Sequence, residues 1–233
     1  MRRLIPLFAV CFVAAPLAQQ RASTLDDPIP GTFRMATLSP AHPCAGFMAL
    51  DLLARVAHVP VGLEKTTDCA LDGRTRTPAH ESETVTGVSA REAVDHLVAS
   101  MPLYSWKEVS GVVVIRPTSA WMDPHDLLNQ RVQPFDASDV YPDDVLHAML
   151  RAATPSLFMP HQDMPRSGAL VNLRMTIAFP GGTLLDALNA IVHASGSAAW
   201  QVGYVGGKAW LSVSTFDFPG DQVMAPAVLP RPH

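Results

Sequence analysis

The stretch Gly87-Val-Ser-Ala-Arg-Glu-Ala-Val-Asp-His-Leu-Val98 returns 94 residues later, without a gap, as Gly181-Gly-Thr-Leu-Leu-Asp-Ala-Leu-Asn-Ala-Ile-Val192. The match is chemical as well as literal. Gly87 meets Gly181, Ser89 meets Thr183, Glu92 meets Asp186, Ala93 meets Ala187, and Val98 meets Val192. A hydroxyl residue followed three positions later by a carboxylate is the capping-box signature of a helix start. Behind each start, Ala93, Val94, Leu97 and Val98, or Ala187, Leu188, Ile191 and Val192, fall at the spacing of one buried helical face.

Working outward, Trp106 falls on Trp200 at the same offset. Each tryptophan lies in a predicted strand that leads through a glycine-containing turn into another strand. The pairs are Leu103 to Val109 with Val112 to Arg116, and Ala198 to Val205 with Lys208 to Val213. Ser110-Gly111 and Gly206-Gly207 supply the hairpin turns. Upstream, Ala49-Leu-Asp-Leu-Leu-Ala-Arg55 aligns with Val145-Leu-His-Ala-Met-Leu-Arg151, and Pro60 or Pro155 marks the exit towards a further strand. Each unit reads strand, helix, strand, then strand, helix, hairpin. The fold expected is α+β: two tandem small βαβ-βαββ modules with helices packed on short sheets. They are placed at residues 31–118 and 131–217, with a linker at 119–130 and a proline-rich tail at 218–233.

Of the 233 residues, 48% are hydrophobic and 16% charged, which suits a packed core rather than a solvated polyelectrolyte. The net charge of −4 removes the electrostatic case for nucleic acid and for an anionic membrane surface. The first residues, Met-Arg-Arg followed by an apolar run from Leu4 to Leu17 and then Ala18-Gln19, have the layout of a secretory signal peptide spanning 1–18. An uncleaved membrane anchor is the alternative, disfavoured because the run is shorter than the ~20 residues a bilayer needs. No later segment has that length without charge, so the mature chain is expected to lack a membrane span. Its location is then periplasmic or secreted. Cys44 and Cys69 remain after cleavage, and in an exported protein such a pair is expected to be bridged. The bridge would close a loop of 24 residues and contribute ~3 kcal/mol. A buried unpaired thiol is the other reading.

The stretch from Glu83 through Gly87-Val-Ser89 to Val98, with Tyr104-Ser-Trp106 and Val112-Val-Val-Ile-Arg116, resembles the secretin and TonB short N-terminal (STN) domain. The segment His42 to His58 is similar to that family's first helix, and Gly181 to Ser195 with Trp210 to Val213 carries the likeness into the second copy. Its motif is mostly packing and capping. The resemblance implies a periplasmic, non-catalytic module that docks on other envelope proteins. In that family a barrel or secretin region follows such modules; none is expected here, so the pair would act as a free accessory.

A search for chemistry yields little. Nine histidines form no HxH or HExxH pattern, so no metal site is expected. No Gly-x-Ser-x-Gly is present, and Ser195-Gly196-Ser197 reads as a helix exit. Pro180-Gly-Gly-Thr183 lacks the Lys-Ser/Thr ending of a phosphate loop. Trp106 and Trp200 suit core packing better than a ligand platform. No catalytic residue and no cofactor is expected. One handle remains: Val112, Val113, Val114 and Ile115 form a strong β-former, which would accept a partner strand if it lay at a sheet edge. A place in mid-sheet or against the other copy is the competing reading.

The function expected is an exported protein-interaction module pair that docks on or regulates an envelope complex of secretin or TonB-receptor type. A rival is a secreted hydrolase or small-ligand binder using an inter-module cleft, with His161, Asp163 and Arg166 converging there. A homo-oligomeric scaffold of stacked modules stays open beside both.

Overall fold

The structure, a computed structural model, describes residues 25–29, 32–36, 46–66, 82–153, 174–205 and 208–215. The signal peptide, Cys44, Cys69, His161, Asp163, Arg166, the Gly206-Gly207 turn and the proline-rich tail lie outside the described residues. In chain order the elements are β1 (Thr32–Ala36), α1 (Gly46–Ala57), β2 (Val61–Glu64), β3 (Ser82–Thr86), α2 (Ala90–Ala99), β4 (Tyr104–Val109) and β5 (Val112–Pro117). Then come β6 (Arg131–Val132), β7 (Phe135–Val140), α3 (Pro142–Ala153), β8 (Met175–Phe179), β9 (Gly182–Thr183), α4 (Leu184–Ser195), β10 (Ser197–Val205) and β11 (Lys208–Thr215). The protein is thus mixed helix and sheet.

Both predicted helix starts form as complete capping boxes. The Ser89 hydroxyl accepts from the Glu92 N–H at 3.2 Å, and the Glu92 carboxylate accepts from the Ser89 N–H at 2.8 Å. At α4 the Thr183 hydroxyl accepts from the Asp186 N–H at 3.1 Å, and Asp186 accepts from the Thr183 N–H at 2.9 Å. Two otherwise unpaired backbone donors are satisfied at each start. The turn between β4 and β5 puts Ser110 at φ 52° and Gly111 at φ 75°, the left-handed pair that a two-residue hairpin needs.

One five-stranded sheet runs through the molecule in the order β11-β10-β2-β5-β4. The two hairpins are antiparallel, whereas β2 pairs in parallel with β5 on one side and with β10 on the other. Strands from both halves of the chain therefore share a sheet. Its two faces feed separate cores. On one face Val61, Leu63, Val113 and Ile115 pack with Leu50 and Leu53 of α1 and with Val94 and Leu97 of α2. On the other, Val112, Val114, Trp200 and Val202 pack with Leu146 and Met149 of α3 and with Leu184, Leu188 and Ile191 of α4.

This arrangement corrects the sheet-edge expectation. Val112, Val113, Val114 and Ile115 are each 0% exposed, and β5 lies between β2 and β4. A strand buried on both faces reads as an unbroken apolar run, which is why this sequence looked like a sticky edge. These four residues are interior and offer no free edge to a partner.

Smaller two-stranded ladders accompany this sheet. β1 pairs antiparallel with β3, with Thr32 opposite Thr86, and β7 pairs antiparallel with β8, with Phe135 opposite Phe179. Pro28 bridges to Ser89, just before α2, and Arg131 of β6 pairs with Thr183 of β9, just before α4. Leu25 and Ile29 beside the first bridge are buried.

Candidate functional site

The first feature is a groove of about 460 Å³ between α3 and the β6–β7 arm. The amphipathic α3 presents Val145, Ala148 and Met149 to it, and the arm contributes Val132, Phe135 and Val140. Arg131, Asp136 and Asp144 stand among its polar members. Asp136 and Asp144 are exposed, as is Ala148. Phe135 is half-buried and meets the Phe179 ring at 5.3 Å between centroids. β7 bulges between Ala137 and Val140, where Asp139 takes φ 55°. Arg174 caps that bulge by donating to the Asp139 carbonyl at 2.7 Å, and lies over the Tyr141 ring at 4.5 Å. Among the described residues β7 pairs with β8 alone.

The second feature is a row of polar side chains at the carboxyl ends of the parallel strands, on the α3–α4 face. Arg116 of β5 is 0% exposed, and its Nε donates to Glu64 of β2 at 2.7 Å. Its two terminal nitrogens donate to Asn129 (3.0 Å) and Asp126 (2.5 Å). The Tyr204 hydroxyl of β10 donates to the other Glu64 oxygen at 3.3 Å. Trp121 lies against this row with its ring 5.0 Å from the Arg116 guanidinium and 4.5 Å from the Lys107 ammonium, and its Nε1–H donates to Ser105 at 3.0 Å.

Two carboxylates thus compete for one guanidinium in a dry setting. Burial raises the Glu64 carboxyl from 4.5 to about 7; Arg116 opposes the rise and Asp126 adds to it. Burial, with the Glu64 charge beside it, also raises the Tyr204 hydroxyl above its ordinary value. The stretch expected as a linker is fixed here. It forms short 3-10 turns at Thr118–Trp121 and Leu127–Asn129. Asp126 caps the second turn through the Leu128 N–H, and Asn129 donates to the Ala120 and Asp123 carbonyls.

The two tryptophans occupy the same place in their hairpins but differ in depth. Trp106 is opposite Ile115 and Trp200 opposite Val213. Each indole N–H donates to a side chain eleven residues earlier, Trp106 to Asp95 and Trp200 to Asn189, both at 2.8 Å. Trp200 is fully buried, lying over Gly62, where an added Cβ would come within 2.1 Å of the ring. Trp106 is only half-buried, flanked by Arg91 at 5.6 Å. Core packing therefore describes Trp200 fully and Trp106 in part. Asn189 also donates to the Val109 carbonyl at 3.0 Å, and the Nε2–H of His193 donates to the Ser110 carbonyl at 2.7 Å. By these contacts α4 holds the turn of the β4–β5 hairpin.

Among the described residues no three His, Cys, Asp or Glu side chains gather in a way that would hold a metal ion, and no helix is long and apolar enough to cross a membrane. The Arg116 row was not foreseen from sequence. Glu64 ends β2 and Arg116 is next to last in β5, and a charge in such a position ordinarily marks where a strand leaves the core. The groove has no signal of its own in the sequence, although Val145 and Met149 belong to the segment that aligns with Ala49 to Arg55. Comparison with family models, with characterised proteins and with solved structures finds no match to this chain.

Proposed function

We propose that the protein is an exported, non-catalytic interaction protein of the cell envelope, formed from two STN-like units and docking an extended apolar segment of an envelope partner along α3. The observation that carries this reading is the groove. It has apolar walls, a polar rim and a strand edge beside it, the combination by which extended peptides add to a sheet while alternate side chains enter a pocket. The duplicated-unit part of the reading is supported by contacts that recur 94 residues apart: the two capping boxes and the two indole bonds. A second reading is favoured by size alone. A groove of about 460 Å³ falls in the range of small-molecule sites, roughly 300–1,000 Å³, so a secreted small-ligand binder is its rival.

Ala148→Glu separates the two readings. Ala148 lines the groove from an exposed helix position where glutamate suits the helix, so the fold should tolerate the change. Residues 19–233 are used to capture proteins from solubilised envelope of the source cell. The expected result is one envelope protein retained by the wild type and lost by A148E at unchanged Tm. Capture that survives A148E removes the groove from the reading. A small molecule that co-purifies with the wild type in native mass spectrometry and is displaced in A148E decides for the rival.

A further inference from the structure

We propose that the buried Arg116 row is a proton-operated clasp: a proton gained by Glu64 tightens segment 118–130 on the sheet, and its loss loosens that segment. The inference stands whether or not the groove binds a partner. Its basis is charge arithmetic in a closed space. Glu64 and Asp126 both bond the single Arg116 guanidinium, and the three side chains are at most 13% exposed. With Glu64 ionised the row carries a net negative charge and its carboxylates repel one another. With Glu64 neutral, Arg116 and Asp126 form a balanced pair. Asp126 is the carboxylate that belongs to the segment, so repulsion acts on the segment directly.

The groups facing Glu64 among the described residues are Arg116 from β5, Asp126 from the segment and Tyr204 from β10, with Asn129 as a neutral neighbour on Arg116. Lys107 of β4 lies against the Trp121 ring. The direction of the linkage follows from the shift. A carboxyl that holds its proton to about 7 when closed, and to its ordinary 4.5 when released into water, makes opening hardest below 4.5. That added protection falls away as the pH rises, and is gone above about 7.

Hydrogen exchange reads this at three amides: Leu128 N–H, bonded to the Asp126 carboxylate, Asn129 N–H, bonded to the Asp126 carbonyl, and Gln130 N–H, bonded to the Leu127 carbonyl. Rates are normalised to intrinsic exchange at each pH. Between pH 5 and pH 8 the wild-type protection of these amides is expected to fall by about tenfold or more. Glu64→Gln should hold it level, while His125→Asn, which alters the segment's own histidine, should leave the fall in place. A level wild-type profile, or an unchanged fall in E64Q, overturns the clasp. Carboxyl-carbon NMR of Glu64 in the unaltered protein needs no variant. Its midpoint must fall where the loss of protection levels off, and a midpoint near the ordinary 4.5 overturns the proposal as well.

Discussion

Asn189 and Asp95 stand 94 residues apart at matching places before their tryptophans, and the difference between them has a physical cause. Asp95 is exposed and has one task, to accept from the Trp106 indole. Asn189 is buried and has two, accepting from the Trp200 indole and donating to the Val109 carbonyl. A carboxylate can accept but has no N–H to give, so it would lose the bond to the Val109 carbonyl and bury a charge. Asn189→Asp is therefore expected to cost about 2–3 kcal/mol of unfolding free energy, and Asp95→Asn less than about 0.5 kcal/mol. Urea titrations of the two variants check this; equal costs would mean that the Val109 bond contributes nothing. At this scale the sequence was only partly legible. The letters of the repeat put the tryptophans in register, but the partner of each indole depends on the depth at which its strand sits. Glu64 and Arg116, 52 residues apart, become neighbours only once β2 lies against β5.

Helices and hairpins were the most legible elements because their signals are local. A hydroxyl and a carboxylate three residues apart fixed both helix starts, and Ser110-Gly111 fixed a turn. The caps carry a direct prediction. Ser89→Ala and Thr183→Ala each remove the acceptor for a backbone N–H, and each should lower stability by about 1 kcal/mol. Chemical denaturation measures it, with Ser89→Asp and Thr183→Asp as variants that restore most of the loss; a loss that aspartate fails to restore would show the hydroxyls acting through something other than the cap. Strand placement was less legible, for a reason that applies to any run such as Val112 to Ile115. Alternate residues of β5 feed opposite cores, so neither face is polar and no alternation marks the strand. Such a run is written alike by a strand in mid-sheet and by a hydrophobic edge. Sheet order settles the matter, and sheet order is not a local property.

The shared sheet decides how the halves can behave as a whole. Two modules on a flexible linker would unfold separately, yet here β2 is bonded on both sides, to β5 of its own half and to β10 of the other. Asn189 and His193 on α4 grip the β4–β5 turn, and Val112 and Val114 pack into the core that α3 and α4 complete. The segment that joins the halves is itself bonded to the sheet through Arg116. Residues 19–130 alone would expose one face of β5, one edge of β2 and the fully buried Arg116. The uncovered apolar face and the unpaired strand edge together exceed what a domain of that size normally spares. The full chain is therefore expected to lose circular dichroism and tryptophan emission in one coincident urea transition, with residues 19–130 failing to give a cooperative transition of their own. Two resolved transitions, or a fragment that melts sharply by itself, would mean that the β2–β10 pairing adds little and that each half keeps its own fold.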